Sequence, residues 1–422
     1  VRLLNRKGLL MNRATRVIVA LVTSYALLGL LMNSVGTVIL QSIAHWGVSK
    51  PHAATLEACK DLSVVVASFL FATALPRFGF RRAQIGVMLA IALGAIAISA
   101  VNSFVAMQFF FVLVGFCFGI AKVATYASIG LVRPEPDRHA ALTTLIEGVF
   151  MVGILAGIWL FGWFIGNDLS GRGWLGVYRV IAALAAAAAL LWWFTELDET
   201  DARAASDARP PSRRDMLALL VLPSTIAFLA AIFLYVLVEQ SIGTWLPTFN
   251  NQVLRLPSAM SVQASSIFIA ALAIGRLGAS GLVARLGWLR LTLGCLAVMA
   301  LLVLLTLPTT HGVVARADIG WLNAPSAAYI FPLIGVFMAP IYPIVSSVVL
   351  SALPRNRHAA MVGLMVIFSA LGGTIGSLIT GVVFERFSGQ TAFYLVLIPL
   401  ALIAVALVRL KQLTAALQPA SA

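Results

Sequence analysis

Charge is what this sequence lacks. Only 10% of its 422 residues are Asp, Glu, Lys or Arg, and just 15 are acidic, where a soluble domain carries about a quarter charged. Apolar residues make up 61% and the mean hydropathy is +1.00, so polar side chains are too few to cover a water-facing surface. That excludes a disordered chain and a soluble enzyme. The three cysteines, Cys59, Cys117 and Cys295, are odd in number and lie within apolar runs. They read as small hydrophobes, which excludes a disulfide framework or a thiolate metal site. The five histidines sit in loops or at helix ends, and no nucleotide-binding loop, metal cluster or nucleophile triad occurs. Neither enzymatic activity nor a cofactor or metal is expected. What remains is an integral membrane protein.

The formal charge of +14 does not point to nucleic acid, because most Lys and Arg flank apolar runs instead of forming a basic stripe. A hydrocarbon core of about 30 Å needs roughly 20 apolar residues per helix. Twelve runs qualify, near 15–42, 54–75, 83–101, 105–132, 140–165, 176–195, 216–248, 260–284, 288–308, 327–352, 359–384 and 391–409. They lack period-two alternation and are rich in Leu and Ala, so helices are expected and barrel strands are not. With the N-terminus inside, twenty Lys/Arg fall on the cytoplasmic side and six on the other. That asymmetry predicts both termini in the cytoplasm of an inner, plasma-membrane protein. The basic stretch 1–16 reads as a retained cytoplasmic flank and not as a secretory signal. One long polar stretch, rich in charge and containing Pro210-Pro211, divides the chain nearly in half. The expected organisation is an N-terminal six-helix half over 1–197, a cytoplasmic linker over 198–215 and a C-terminal six-helix half over 216–422.

The halves look related. Asp137-Arg138-His139-Ala140-Ala141 and Asn356-Arg357-His358-Ala359-Ala360 recur at an offset of 219, before helices 5 and 11. Arg77-Phe78-Gly79-Phe80-Arg81 and Arg285-Leu286-Gly287-Trp288-Leu289-Arg290 recur at 208, after helices 2 and 8. Two matches at nearly one offset predict a parallel repeat. The segment Ala72–Arg82 (ATALPRFGFRR) resembles the signature of the major facilitator superfamily, keeping its Arg, Gly and trailing basic residues. Gly275-Arg276-Leu277 with Ser280-Gly281-Leu282 is similar to the family's helix 8. Val238–Pro247 (VEQSIGTWLP) and Phe337–Ile344 (FMAPIYPI) are similar to fucose permease-like sugar–proton symporters. The resemblance implies an all-α fold of twelve transmembrane helices in two pseudo-symmetric halves.

Ionisable groups inside a span cost roughly 2.5–3.5 kcal/mol each, so each needs a reason. By the ~1.5 Å rise per residue, Lys122 lies about 16 Å from the cytoplasmic marker Arg133. Glu147 and Arg276 each lie about 13 Å from their markers, Arg138 and Arg285. All three share a level near mid-membrane. In the superfamily their helices face a central cavity or its rim, so the resemblance makes a Lys122–Glu147–Arg276 cluster reasonable. Against the fucose permease-like pattern, Lys122 falls where a functional acid stands and Glu147 where an asparagine stands, while helix 1 has no acid. Proton coupling therefore rests on Glu147 alone: substrate would draw Lys122 away and let the carboxylate take a proton. A static ion pair locking two helices, with Arg276 merely stabilising the interdomain contact, is the plainer alternative.

Glu57, Lys60 and Asp61 share one face of helix 2 near its outer end, with Glu239 at a similar level of helix 7. They are either interfacial and wet, or a gate in which the helix 2 patch meets Glu239. Asn33, Tyr126, Gln240, Trp245, Asn250 and Tyr342 offer the amides, hydroxyls and rings that hold polar solutes, although Trp245 also fits an aromatic belt. Gly372-Gly373 in helix 11 and Pro340 and Pro343 in helix 10 suit helices that bend. The expected function is secondary active transport, by alternating access, of a sugar or related small polar organic solute. The proton gradient would drive uptake, and the partners would be protons and the lipid bilayer. The chain is expected to act as a monomer without nucleic acid. An organic-anion or drug-type exporter or exchanger, using Lys122 to bind a carboxylate, is the alternative within transport. A non-transporting membrane receptor or enzyme is the alternative outside it.

Overall fold

The computed structural model describes residues 2–71, 74–132, 135–168, 173–200, 219–316, 318–353 and 357–415. Most of the predicted linker, from 201 on, lies outside them, as do Ala72, Thr73, Arg133, Arg355 and Asn356. The fold is all-α, with no strand among the described residues. Eleven helical spans are long and apolar enough to cross a bilayer. The span α1 is Arg13–Trp46, and α3 to α7 are Phe80–Ala100, Phe104–Val132, Ala141–Gly166, Gly173–Trp193 and Pro223–Gln252. The rest, α8 to α12, are Ser258–Gly278, Trp288–Thr310, Ala327–Ser351, Ala360–Arg386 and Gly389–Leu413. The twelfth helix is α2, Lys50–Phe71. Every eighteen-residue stretch of its 22 residues contains Glu57, Lys60 and Asp61, which is why it stands apart from the apolar spans. Large apolar side chains such as Leu93, Phe109 and Trp193 remain exposed along the helices, as a lipid-facing surface requires.

Several spans are interrupted, each for a local reason. In α1 the helix stops at Met32 and restarts at Val35. Ser34 closes the break by donating both its amide and its hydroxyl to the Leu31 carbonyl. In α7 the helix Pro223–Gly243 ends and Leu246–Gln252 begins, with Pro247 in its first turn. The tenth span is a chain of short pieces around Pro332 and Pro340, because proline removes a donor and clashes with the preceding turn. Gly372-Gly373 does not break α11, which lies within one unbroken helix, His358–Arg386.

The chain forms two compact units: residues 1–35 with 59–210, and residues 36–58 with 211–422. The end of α1 and the start of α2 thus pack into the second unit. Within each unit the repeat is legible in the closest helix contacts. A methyl added at Gly153 of α5 would come within 2.1 Å of the Ala26 carbonyl oxygen, and one at Gly372 of α11 within 2.3 Å of the Phe233 carbonyl oxygen. One turn on, Gly157 abuts Leu30 and Gly376 abuts Leu237. Both pairs recur at offsets of 219 and 207. Gly115 against the Lys60 carbonyl and Gly335 against the Phe268 carbonyl recur at 220 and 208. Small residues let helix backbones meet where lipid offers no hydrophobic drive. The turns agree: Gly79 and Gly287, 208 apart, both adopt positive φ, at 100° and 75°, and each ends a helix by donating its amide to a carbonyl four residues back.

Candidate functional site

In the first unit, the α1 break leaves helix carbonyls without the next turn's amides. The Lys60 ammonium, almost fully buried, donates to the freed Met32 carbonyl at 3.4 Å and pairs with Asp61 at 3.3 Å. A cation at a helix C-terminus meets the negative end of its dipole. Asn33 sits at the same break and is exposed.

Deeper in this unit, Glu147 of α5 accepts hydrogen bonds from Tyr25 of α1 at 3.5 Å and from Tyr126 of α4. The Tyr25 ring packs against Phe118 and Phe150, with centroids 6.3 and 5.1 Å away, which fixes its hydroxyl toward the carboxylate. Lys122, four residues before Tyr126, lies over the Phe118 ring at 5.9 Å and acts electrostatically with Glu147. Its side chain is exposed. The two charges make no ion pair within 4.0 Å; the carboxylate's hydrogen-bond partners are the two phenols. Tyrosine donors to a carboxylate are charge-assisted and hold it in one orientation.

The second unit gathers a similar set from different positions. Tyr235 of α7 and Tyr342 of α10 pack at 5.7 Å between centroids, and Glu239 and Arg276 both act on the buried Tyr235 hydroxyl. Ser369 of α11 places its buried hydroxyl beside that of Tyr342.

Toward the far end of this unit, Glu57 is fully buried. It accepts from the Gln240 amide at 3.1 Å and from the Thr244 hydroxyl at 3.0 Å. Gly36 permits this approach, since a methyl there would lie 2.4 Å from the Thr244 carbonyl oxygen. Of the predicted gate residues, Glu57 therefore engages the neighbours of Glu239 on α7, while Lys60 and Asp61 serve the α1 break. Trp245 is wholly buried, donating from its indole nitrogen to the Ser377 carbonyl and hydroxyl, both at 3.1 Å. It offers no ring surface to a solute in this conformation. Asn250 is likewise committed, donating to the Ser261 carbonyl at 3.1 Å.

Sequence reasoning passed over Tyr25 and Thr244. Tyr25 carries no local signal, being one aromatic in an apolar run. Thr244 does carry one: Asn33-Ser34-Val35-Gly36-Thr37 and Gln240-Ser241-Ile242-Gly243-Thr244 match at an offset of 207, the offset of the α1 and α7 contacts above. Among the described residues no group of His, Cys, Asp or Glu could hold a metal ion.

Twelve helices with an internal repeat are the architecture of a secondary transporter that works by alternating access. The profile of the Major Facilitator Superfamily matches residues 21–335, and the chain belongs to that superfamily. No curated protein sequence matches the chain significantly. Among solved structures, a variant of the nucleoside transporter NupG superposes with a TM-score of 0.73 at 14% identity, over 94% of this chain and 99% of that one. The xylose transporter XylE from E. coli, in an inward-open conformation, gives 0.70 at 12% identity over 94% and 96%. A bacterial homologue of the human lysosomal transporter Spinster gives 0.69 at 15% over 96% of each chain. At these identities the likeness is one of fold.

Proposed function

We propose that this transporter is a proton-coupled symporter of a hydroxyl-rich organic solute, a sugar or a close relative, in the manner of the fucose permease-like branch. The observation that carries the reading is Glu147, a carboxylate within a membrane span, held by Tyr25 and Tyr126 with Lys122 close by. A charge at that depth is costly unless it borders a water-accessible path. Phenol hydroxyls around it can both stabilise the anion and exchange for solute hydroxyls. Proton uptake by Glu147 would accompany solute binding, and Lys122 would supply the compensating charge. Tyr342, Arg276, Glu239, Asn33 and Gln240 are the second set of solute-facing candidates. The two neighbours named for nucleoside and xylose transport carry solutes of the same hydroxylated kind. The Glu57–Gln240–Thr244 contact serves as the latch of the far end. Rocking of the N- and C-terminal halves about the 198–215 linker, in an inner membrane with both termini cytoplasmic, completes the scheme.

A second reading has its own support. Among the described residues Lys122 makes no direct ion pair, and it is exposed, so its ammonium is available to a substrate carboxylate. Proteoliposomes separate the two. Glu147→Gln should cut proton-driven accumulation of the solute at least a hundredfold while leaving solute exchange within a few-fold of wild type. Undiminished pH-gradient-driven accumulation in that variant would remove Glu147 as the proton carrier. Lys122→Ala should then abolish counterflow of anionic solutes only if the second reading holds.

A further inference from the structure

The far end of the second unit contains a polar cavity of about 430 Å³ that the transport scheme does not use. Its lining includes Lys50 at the start of α2, Gln252 at the end of α7 with Arg255 just after it, Thr310 at the end of α9, and Ser388 and Gln390 before and within the first turn of α12. Both charged lining residues are cations. Arg255 is exposed and is the one described non-glycine residue with positive φ, at 57°. That conformation costs an L-residue about 1–2 kcal/mol. It is held by the Leu256 amide donating to the Asn250 carbonyl at 3.1 Å and by the Asn251 side chain donating to the Leu256 carbonyl at 3.0 Å. The Arg255 guanidinium has no partner among the described residues, so a rigid loop presents an uncompensated fork of donors to the cavity. Lys50 is engaged: its ammonium pairs with Glu385 at 3.1 Å and lies 5.4 Å above the Phe384 ring.

We infer that this cavity binds a phosphate-bearing ligand, anchored by Arg255 and completed by Lys50 drawn from Glu385. Arginine's planar fork matches phosphate bidentately, and the volume lies within the roughly 300–1,000 Å³ usual for ligand sites. The Thr310 hydroxyl is committed to the Leu307 carbonyl at 2.7 Å, and the other donors come from three separate chain segments, so a tetrahedral acceptor reaches more of them than a planar carboxylate. The ligand is either a free phosphate ester or a phospholipid headgroup, since the cavity lies where membrane helices begin and end. Lys50 also ties the start of α2 to the end of α11, through its amide as well as its ammonium on Glu385, so binding would loosen that tie.

The test uses the purified full chain in an uncharged detergent, with inorganic phosphate titrated at constant ionic strength and thermal unfolding as the readout. A saturable rise in the unfolding midpoint is expected. Arg255→Gln should weaken the apparent affinity at least tenfold, whereas Glu385→Gln, by freeing Lys50, should tighten it several-fold. Arg316→Gln, at another exposed arginine, should change nothing. Arg255→Gly guards against misfolding, because it relieves the left-handed backbone while removing the guanidinium; it should fold and lose the response. In a parallel arm, nanodiscs of phosphatidylcholine with and without phosphatidylglycerol are compared. A stabilisation by phosphatidylglycerol that vanishes in both Arg255 variants assigns the site to a headgroup; a response to inorganic phosphate alone assigns it to a soluble ester. No response in either arm, or one that survives both Arg255 variants, overturns the inference.

Discussion

The two polar clusters are built from the same parts in different registers. The first unit offers Tyr25, Tyr126, Glu147 and Lys122; the second offers Tyr235, Tyr342, Glu239 and Arg276. The scaffold offsets of 207 for α1 and α7 and 220 for α4 and α10 map Tyr25 onto Ile232, Tyr126 onto Ser346 and Lys122 onto Tyr342. Asn33 and Gln240 coincide in position and in kind, whereas Lys122 coincides with a tyrosine. Backbone contacts that let helices meet have survived as a repeat, while the phenols have shifted along equivalent helices by about a turn and the charged groups stand on non-equivalent helices. Packing constrains both halves alike; chemistry does not. The first unit commits its carboxylate to two hydroxyl donors, and the second surrounds a tyrosine with opposite charges.

The shared scaffold is the sharpest place to break this comparison. Gly153→Ala and Gly372→Ala each force a methyl against a backbone oxygen that cannot swing aside, and overpacking of this kind costs about 1–3 kcal/mol. Both variants should lose folded protein and unfold at lower temperature by similar amounts. Gly86→Ala and Gly294→Ala, whose added methyls meet nothing within 4 Å, should be neutral or slightly stabilising, because alanine favours a helix over glycine by about 1 kcal/mol. If the controls fall as far as the contact glycines, the repeat is not a packing constraint.

The clusters should differ where the scaffold does not. Tyr126→Phe deletes a donor to the Glu147 carboxylate, and a hydrogen bond to a charged group is worth about 1.5–3 kcal/mol. Transport should fall by about tenfold or more, with folding preserved. Tyr342→Phe removes a hydroxyl whose ring contact with Tyr235 survives the change, so its loss should stay within a few-fold. Initial uptake rates in proteoliposomes check the pair. Equal effects would mean that both clusters bear on transport in the same way.

Much of this architecture was legible beforehand, and the limits are physical. Hydropathy located all twelve helices, including α2 despite Glu57, Lys60 and Asp61, because bilayer thickness sets a length no other fold imposes. The turn glycines Gly79 and Gly287 marked the repeat through their backbone requirement. Glu147 and Lys122 stand out as charges in apolar surroundings and Tyr126 as one of several polar candidates, but neither its bond to Glu147 nor the part of Tyr25 does. Which hydroxyl reaches a carboxylate depends on how α1, α4 and α5 pack, and no periodicity records that. Sequence order also assigns residues 36–58 to the first half, whereas they pack with the second; Gly36 against Thr244 is a contact between residues more than two hundred positions apart. Trp245 reads as an interfacial ring until Ser377 is seen to receive its indole.

The smallest expected difference concerns the two buried indoles that donate across helices, one in each unit. Trp192 of α6 donates to the Ser24 hydroxyl at 2.8 Å, and Trp245 of α7 donates to both acceptors of Ser377 at 3.1 Å. Both side chains are fully buried. Replacing either with Phe keeps an aromatic ring but removes the donor, at a net cost of about 0.5–1.5 kcal/mol for the hydrogen bond, with some addition for lost volume. Ser24 retains a hydroxyl that can rotate toward another acceptor, whereas the Ser377 carbonyl cannot reorient. Trp245→Phe should therefore lower the unfolding midpoint slightly more than Trp192→Phe. A larger loss for Trp192→Phe would show that α6 packing, and not the helix 7 to helix 11 hydrogen bond, is the more sensitive seam.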